Sequence, residues 1–186
     1  YTTGEDYLNL ITKNGLGIQF NEEGVRSMGR TAAGVRGVNL AADNEVVAAA
    51  KTEEGAALLL ATVNGSGKRV EFSDIRITNR GGKGVILFRI TDKTGPVIDA
   101  LSVHDEDEVM LINSAGQLVR IRVDSISEQG RYASGVRLLT LKKDATLVAM
   151  APVVDDEKDE DAADETSDDS DASQPSAADN PSTEGS

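Results

Sequence analysis

The sequence contains no cysteine and no tryptophan, and its 186 residues include one histidine, three phenylalanines and three tyrosines. Without cysteine, disulfides and thiolate zinc sites are excluded, which suits a reducing compartment. So few aromatic side chains cannot build a stacking platform for single-stranded nucleic acid. No apolar run reaches the roughly 18 residues of a membrane-spanning helix, and no signal segment opens the chain. These absences predict a soluble intracellular protein, and Tyr1 in place of a starting Met suggests a fragment.

The negative charge is concentrated at the C-terminal end of the chain. Residues 1–154 carry 18 Lys and Arg against 19 Asp and Glu, whereas residues 155–186 carry Lys158 against 13 acidic residues. Asp, Glu, Ser, Ala, Thr and Pro dominate this last segment, which cannot bury enough apolar surface to offset its ordering entropy. We predict a disordered acidic tail over 155–186. Two roles are open for it: a solubilising extension, or competition with nucleic-acid phosphates for basic residues elsewhere in the chain.

Two sequence landmarks recur along the rest of the chain. The first is an Arg followed by three variable residues and Gly-Val, and its copies begin at Arg30, Arg80 and Arg131. The second is a single glycine, found at Gly15, Gly65 and Gly116. Both landmarks advance by 50 and then by 51 residues. Two markers that keep one period indicate an internal repeat.

Short apolar runs rich in β-branched residues lie between Gly, Asn and Asp in each repeat, which is typical of strands and hairpins. The predicted strands are 7–12, 17–20 and 35–40 in the first repeat, 46–52, 57–63, 68–72 and 85–90 in the second, and 97–102, 109–113, 118–123 and 136–141 in the third. Residues 146–153 form an opening strand with no repeat after it. Four strands per period predict propeller-like blades, and three blades are fewer than the roughly 4 to 8 that close a ring. We therefore predict an all-β partial ring over 1–154, with blades at 1–44, 45–95 and 96–154.

Few residues indicate catalysis. His104 lies in the acidic loop 104–108, which could bind a hard cation, but the loop lacks a glycine turn and fixed ligand spacing, so a solvated hairpin connection is favoured. Residues 81–84, Gly-Gly-Lys-Gly, superficially match a phosphate loop, yet they run into a strand where a Walker loop needs a helix. Tyr132 occupies a position that differs in every repeat, which favours a variable loop residue over a nucleophile. No catalytic, cofactor-binding or metal-binding residue is predicted.

Basic residues, in contrast, recur in register. The position fifteen residues after the landmark glycine is Arg in all three repeats. Such a stripe of cations suits the phosphates of duplex DNA, held without base contacts in a salt-sensitive complex. The alternative is that each repeat arginine binds carbonyls between neighbouring blades. The candidate phosphate contacts are Lys68, Arg69, Arg76, Arg80, Lys83, Arg120, Arg122 and Arg131.

The Gly-Arg-x-x-x-Gly-Val pattern, with Asn-Gly-x-Gly hairpins between its copies, resembles the C-terminal DNA-wrapping domain of DNA gyrase A. The resemblance covers about residues 1–153 and implies the last three blades of a six-bladed β-pinwheel whose blades exchange a strand. The signature box of that family is Gln-Arg-Arg-Gly-Gly-x-Gly, whereas residues 78–84 are Thr-Asn-Arg-Gly-Gly-Lys-Gly. The departure at the first two positions implies a later, degenerate copy of the box.

This resemblance implies a non-catalytic part of an ATP-hydrolysing DNA topoisomerase, which wraps duplex DNA on a basic perimeter to support negative supercoiling. The cleavage tyrosine belongs to another domain. The implied partners are duplex DNA, the remainder of gyrase A and the gyrase B protein, in a heterotetramer of the bacterial cytoplasm associated with the nucleoid. ATP and magnesium belong to the holoenzyme, and no membrane is involved. Two alternatives are the equivalent C-terminal domain of topoisomerase IV and a propeller-like protein-binding module, and the in-register cations argue against the second.

Overall fold

The computed structural model describes residues 1–154, and the predicted disordered tail over 155–186 lies outside the described residues. Tyr1–Val153 form one compact unit. The strands are β1 Tyr7–Thr12, β2 Leu16–Asn21, β3 Val46–Lys51, β4 Ala57–Thr62, β5 Ser66–Glu71, β6 Val85–Ile86, β7 Val97–Val103, β8 Glu108–Asn113, β9 Leu118–Arg122, β10 Val136–Arg137 and β11 Leu147–Pro152. Three single-turn 3₁₀ helices, Glu22–Gly24, Phe72–Asp74 and Val123–Ser125, are the helices of these residues, and none of them is long and apolar enough to cross a membrane. The prediction of an all-β fold is confirmed.

Each repeat contributes one tight hairpin, and the recurring glycine is its turn residue. Gly15, Gly65 and Gly116 adopt φ angles of 75°, 77° and 76°. Glycine adopts this left-handed conformation without the steric cost that a side chain brings. The N–H of each glycine donates to a carbonyl three residues earlier, at 2.9 Å in the first two repeats and 3.0 Å in the third. The period of the sequence is therefore the period of the hairpins β1–β2, β4–β5 and β8–β9.

Strands from the next repeat complete each sheet. The strand orders are β3-β1-β2-β6, β10-β5-β4-β7 and β11-β8-β9. The opening strands β3, β7 and β11 pair antiparallel with the first hairpin strand of the preceding repeat. On the other side, β6 and β10 bring the residues after the Arg landmark onto β2 and β5. The strand exchange implied by the family resemblance is thus present in the structure.

The predicted fourth strands were the least accurate part of the strand prediction. Segments 85–90 and 136–141 contain only the two-residue strands β6 and β10, and 35–40 forms no strand. The ladder stops early in the second repeat because the N–H groups of Leu87 and Phe88 both donate to the carbonyl of Gly15, at 2.8 and 3.0 Å. The segment 35–40 lacks a strand partner because residues 1–154 include no earlier hairpin on which it could lie. Its backbone bonds instead to the loop of the next repeat, with the Asn39 N–H donating to the carbonyl of Gly82 at 2.8 Å.

The core lies between neighbouring sheets. Side chains along a strand point alternately to its two faces. On β4, Leu58 and Leu60 pack into a cluster with Phe88 and Val97, whereas Leu59 and Ala61 pack into a second cluster on the opposite face. All six residues of β4 are buried, but burial alternates along β8. The middle sheet is therefore covered on both faces.

Candidate nucleic-acid interface

Lys68 is fully buried on β5. Its Nζ donates to the carbonyl oxygens of Gly130 at 2.7 Å and Arg131 at 3.0 Å, and it lies 5.4 Å from the centroid of the Phe88 ring. Burial lowers the pKa of Lys68 to about 8, although Asp74 opposes the change. The side chain binds the backbone of the next repeat and does not reach solvent. As a correction, Lys68 is removed from the candidate phosphate contacts.

Arg69, on the same strand, is also removed from that set. It is 8% exposed, its Nε donates to the carbonyl of Ile126 at 2.8 Å, and its Nη1 pairs with Asp105. The backbone N–H of Gln129 donates to the carbonyl of Arg69 at 2.9 Å. Because its polar atoms are held within the fold, Arg69 joins the third repeat to the second sheet.

The acidic loop 104–108 uses its carboxylates within the fold. Asp105 pairs with Arg69, and Asp107 accepts the backbone N–H of His104 at 2.8 Å. The His104 ring lies with Nε2 3.1 Å from the carbonyl oxygen of Glu54. The described part of the chain contains no group of three side chains placed to hold a metal ion.

Arg80 makes the bonds between repeats that the sequence left open as an alternative. Its Nε donates to the carbonyl of Gly24 at 2.9 Å and its Nη1 to the carbonyl of Arg36 at 3.2 Å. The equivalent arginines differ: Arg30 is exposed, and the guanidinium carbon of Arg131 lies 5.1 Å from the centroid of the Tyr132 ring. The arginine at this position of the repeat therefore has different surroundings in each of the three repeats.

Arg120 and Arg122 are exposed on β9, and each is paired with an acidic residue. Arg120 pairs with Glu108, and Arg122 pairs with Asp124. A phosphate would have to compete with these carboxylates. Contact of either arginine with DNA stays a prediction.

A further set of cations is exposed, and their side chains make no hydrogen bond or ion pair within residues 1–154. This set includes two of the candidate contacts, Arg76 and Lys83. Its other members are Arg26, Arg30, Arg36, Arg89, Lys93, Arg137, Lys142 and Lys143. Exposed cations without a carboxylate partner are available to a polyanion, because no ion pair has to be broken.

Three adjoining depressions bring four cations into one row. Arg76 and Lys83 line the first, Arg76, Arg131 and Tyr132 line the second, and Tyr132 and Arg89 line the third. Neighbouring depressions share wall residues, so together they form one continuous surface. We call this surface, with Lys83, Arg76, Arg131, Tyr132 and Arg89 in that order, the cationic groove.

Residues 72–90 lead from β5 to the first sheet, where β6 pairs with β2, and we call this segment the crossover of the second repeat. The crossover builds the cationic groove where it lies on the first sheet. A Cβ atom on Gly17 of β2 would lie 2.1 Å from the Cδ1 of Leu87, so only glycine allows this approach. From the other side, Gly84 has a φ of +79° and approaches the carbonyl of Gly17. One repeat further, Lys93 and Arg137 line the corresponding depression around Gly135. The wall of the groove is therefore fixed by packing, whereas three of its four cations, Lys83, Arg76 and Arg89, project from exposed positions.

Sequence reasoning identified Arg76, Lys83 and Arg131 in the groove but left Arg89 out of the candidate contacts. Arg89 has no cationic equivalent in the other repeats, which have Asn39 and Thr140 at that position. Looking for cations at equivalent positions of the repeats therefore does not identify Arg89. No local feature of the sequence marked Arg89 as unpaired, since Asp92 lies only three residues later.

Comparison with known proteins places the chain in a family. Residues 6–53, 56–104 and 107–153 each match the family model described as the DNA gyrase C-terminal domain, beta-propeller. The chain belongs to this family. The resemblance stated from the repeated motif is thus confirmed.

Two curated relatives show how much of a longer protein this family segment represents. The DNA gyrase A protein of Salmonella typhimurium is 41% identical over 160 residues, which are 84% of this chain and 18% of the relative. The DNA gyrase A protein of Staphylococcus aureus, strain NCTC 8325, is 38% identical over 168 residues, which are 89% of this chain and 19% of the relative. The chain thus spans less than a fifth of the length of these relatives.

Two solved structures share the fold. A DNA gyrase A C-terminal domain matches with a TM-score of 0.78 and 29% identity, over 82% of this chain and 52% of that one. The C-terminal domain of a DNA topoisomerase IV matches with a TM-score of 0.77 and 25% identity, over 82% of this chain and 48% of that one. The described sheets therefore correspond to about half of a gyrase-type C-terminal domain.

Proposed function

We propose that residues 1–153 bind duplex DNA by its phosphates along the cationic groove, as part of a DNA-wrapping surface. The row of four cations without carboxylate partners carries this proposal, and three of them, Lys83, Arg76 and Arg89, are exposed. The groove is lined by Arg and Lys side chains, which suits contact with the phosphodiester backbone. Because residues 1–154 are close to neutral overall, with 18 basic and 19 acidic residues, attraction of DNA depends on where the cations lie.

The proposal predicts how steeply the affinity for DNA falls as the salt concentration rises. Each neutralised phosphate contributes about −0.9 to the slope of log K against log salt concentration. Four groove cations would therefore contribute about −3.6 to the slope. Additional unpaired cations, such as those in the next depression, would make it steeper.

A salt titration with a duplex of about 40 base pairs tests the proposal on the full chain. Arg76→Gln is expected to reduce the steepness of the slope by about 0.9, because Arg76 lines two of the three depressions. Lys51→Gln is the matched control, since it removes one charge from a lysine that pairs with Glu53 at 3.8 Å. No binding at low salt, or equal slopes for Arg76→Gln and the unsubstituted chain, would contradict a phosphate track in the groove.

We further propose that this segment supports ATP-dependent negative supercoiling within DNA gyrase without performing chemistry itself. Its partners would be the remainder of gyrase A and the gyrase B protein in a heterotetramer, with ATP and magnesium acting elsewhere in the holoenzyme. The curated gyrase A relatives support this assignment. Acting on the chromosome would place the complex at the nucleoid in the bacterial cytoplasm.

The holoenzyme assay is supercoiling of relaxed plasmid by the full-length gyrase A protein with gyrase B and ATP. Negative supercoils are expected, and their loss on removal of residues 1–153 is expected to leave strand cleavage intact. Membership in a topoisomerase IV is the second candidate, favoured by the match to its C-terminal domain at a TM-score of 0.77. Absence of supercoiling with gyrase B would favour it.

A further inference from the structure

The middle of the cationic groove contains an apolar spot. Tyr132 is 65% exposed and Ile86 is 41% exposed, and both line the second and third depressions together with Leu16. The guanidinium of Arg131 lies over the Tyr132 ring, with Cζ 5.1 Å from its centroid. The hydroxyl of Tyr132 can donate to a phosphate, but its ring and the Ile86 side chain do not serve phosphate binding, so these apolar surfaces need a separate explanation.

The repeats on either side are polar at the same positions. Arg36 and Arg137 are the equivalents of Ile86, and Ser66 is the equivalent of Leu16 one repeat further. At the position of Tyr132, the other repeats have Thr31 and Gly81. Since the neighbouring repeats fold with polar or small residues there, folding alone does not require the apolar spot.

Duplex DNA presents apolar surface beside its phosphates at the deoxyribose walls of the minor groove. Proteins that bend DNA often place apolar side chains against the minor groove, at steps that unstack easily. Pyrimidine–purine steps such as TA are the most easily deformed. Cations on both sides of an apolar contact can hold the phosphates of the bent segment.

We propose that Tyr132, Ile86 and Arg131 contact the minor groove at a flexible base step and thereby fix where DNA bends on this surface. Tyr132 and Ile86 pack against deoxyribose, and Arg131, held over the Tyr132 ring, lies in the same groove. The inference rests on the proposed binding of DNA phosphates by the cationic groove. It adds a preference for position along the DNA, which phosphate contacts alone do not supply.

The test uses the full chain and two duplexes of about 40 base pairs, one with a single central TA step and one without flexible steps. Hydroxyl-radical cleavage reports deoxyribose accessibility in the minor groove. We expect a protected patch centred on the TA step, and binding about fivefold tighter than to the stiff duplex, the lower end of the cost of a mismatched position.

Two substitutions take residues from the equivalent positions of the other repeats. Tyr132→Thr is expected to abolish the preference for the TA duplex and leave the salt slope unchanged, because it removes no cation. Ile86→Arg is expected to abolish the preference and steepen the slope by about 0.9. A melting curve measured by circular dichroism checks that both variants fold.

The possible outcomes distinguish the minor-groove contact from the binding of DNA phosphates. Steep salt dependence with equal affinity for the two duplexes and a uniform footprint would overturn the minor-groove contact and leave phosphate binding standing. A TA preference that survives Tyr132→Thr and Ile86→Arg would also overturn it. Absence of salt-dependent binding to either duplex would overturn the proposed function and, with it, this inference.

Discussion

The buried ammonium group of Lys68 is expected to make the stability of the fold depend on alkaline pH. Burial lowers its pKa from 10.5 to about 8, and its hydrogen-bond acceptors within residues 1–154 are the carbonyls of Gly130 and Arg131. In the unfolded chain the lysine is solvated and has its ordinary pKa. Between the two pKa values the unfolded state therefore binds one more proton than the folded state, so the free energy of unfolding rises with pH. This gain is absent below about 8 and complete above about 10.5.

The size of the effect follows from the two pKa values. One pKa unit corresponds to about 1.4 kcal/mol, so lowering the pKa from 10.5 to about 8 predicts a rise of about 3 kcal/mol in the free energy of unfolding. The Lys68→Met variant lacks the proton and should lack this rise. An apolar side chain is compatible with this position, because the first sheet has Ile18 there, at 2% exposure.

Urea unfolding followed by circular dichroism at pH 7.5 and 10.5 measures the effect in both proteins. Other titrating groups contribute equally to the two, so the gain of the unsubstituted chain relative to Lys68→Met isolates Lys68. Lys51→Met, which replaces a half-exposed lysine, is the control and should follow the unsubstituted chain. If Lys68→Met shows the same rise with pH as the unsubstituted chain, within an extrapolation error of roughly 10–15%, Lys68 does not titrate as a buried charge.

Two other changes have clear expected outcomes. Gly67→Ala should lower the free energy of unfolding by about 1 to 3 kcal/mol, because its Cβ would lie 2.3 Å from the Cδ1 of Leu138 and 2.5 Å from the carbonyl oxygen of Leu60. Gly29→Ala, with no atom within 4 Å of the added Cβ, is its control in the same urea titration, and equal losses would contradict the packing argument. A chain ending at Val154 should bind duplex DNA more tightly than the full chain at low salt, since it lacks 13 acidic residues. Unchanged affinity in a low-salt titration would leave the acidic tail with only a solubilising role.

The hairpins were predictable because the interactions that define them are local. The turn at Gly65 and the flanking strands β4 and β5 depend on residues close in sequence, where a left-handed glycine and strand-forming residues leave a clear pattern. The pairing of β10 with β5 depends instead on contacts between distant residues. No local pattern marks Leu138 as the side chain that lies on Gly67, so the length and pairing of the fourth strand could not be derived from the residues of one repeat.

The candidate site was predicted less completely for the same reason. On β5, Lys68 and Arg69 stand in a polar and apolar alternation that is typical of an exposed strand. Their burial is caused by carbonyl groups at Gly130 and Ile126, which are 62 and 57 residues away. Arg76 and Lys83 lie in the crossover itself, where no later segment within residues 1–154 covers them, and their predicted exposure is found in the structure.

The glycines of the crossover also determine in which direction the repeats can be extended. On β9, Leu118 stands where β2 and β5 carry Gly17 and Gly67, and it is 58% exposed. A crossover laid on β9 in the same way would collide with this side chain, so the third sheet cannot accept a repeat by that geometry. Gly34 in the first repeat, in contrast, keeps a φ of +82° with open space around it. Gly84 and Gly135, the equivalents of Gly34, also have positive φ angles, and they lie against the carbonyls of Gly17 and Gly67 in the preceding hairpins. In the first repeat, the surface around Gly34 is therefore still open to contact with the hairpin of a preceding repeat. In the third repeat, Leu118 on β9 blocks contact with the crossover of a following repeat.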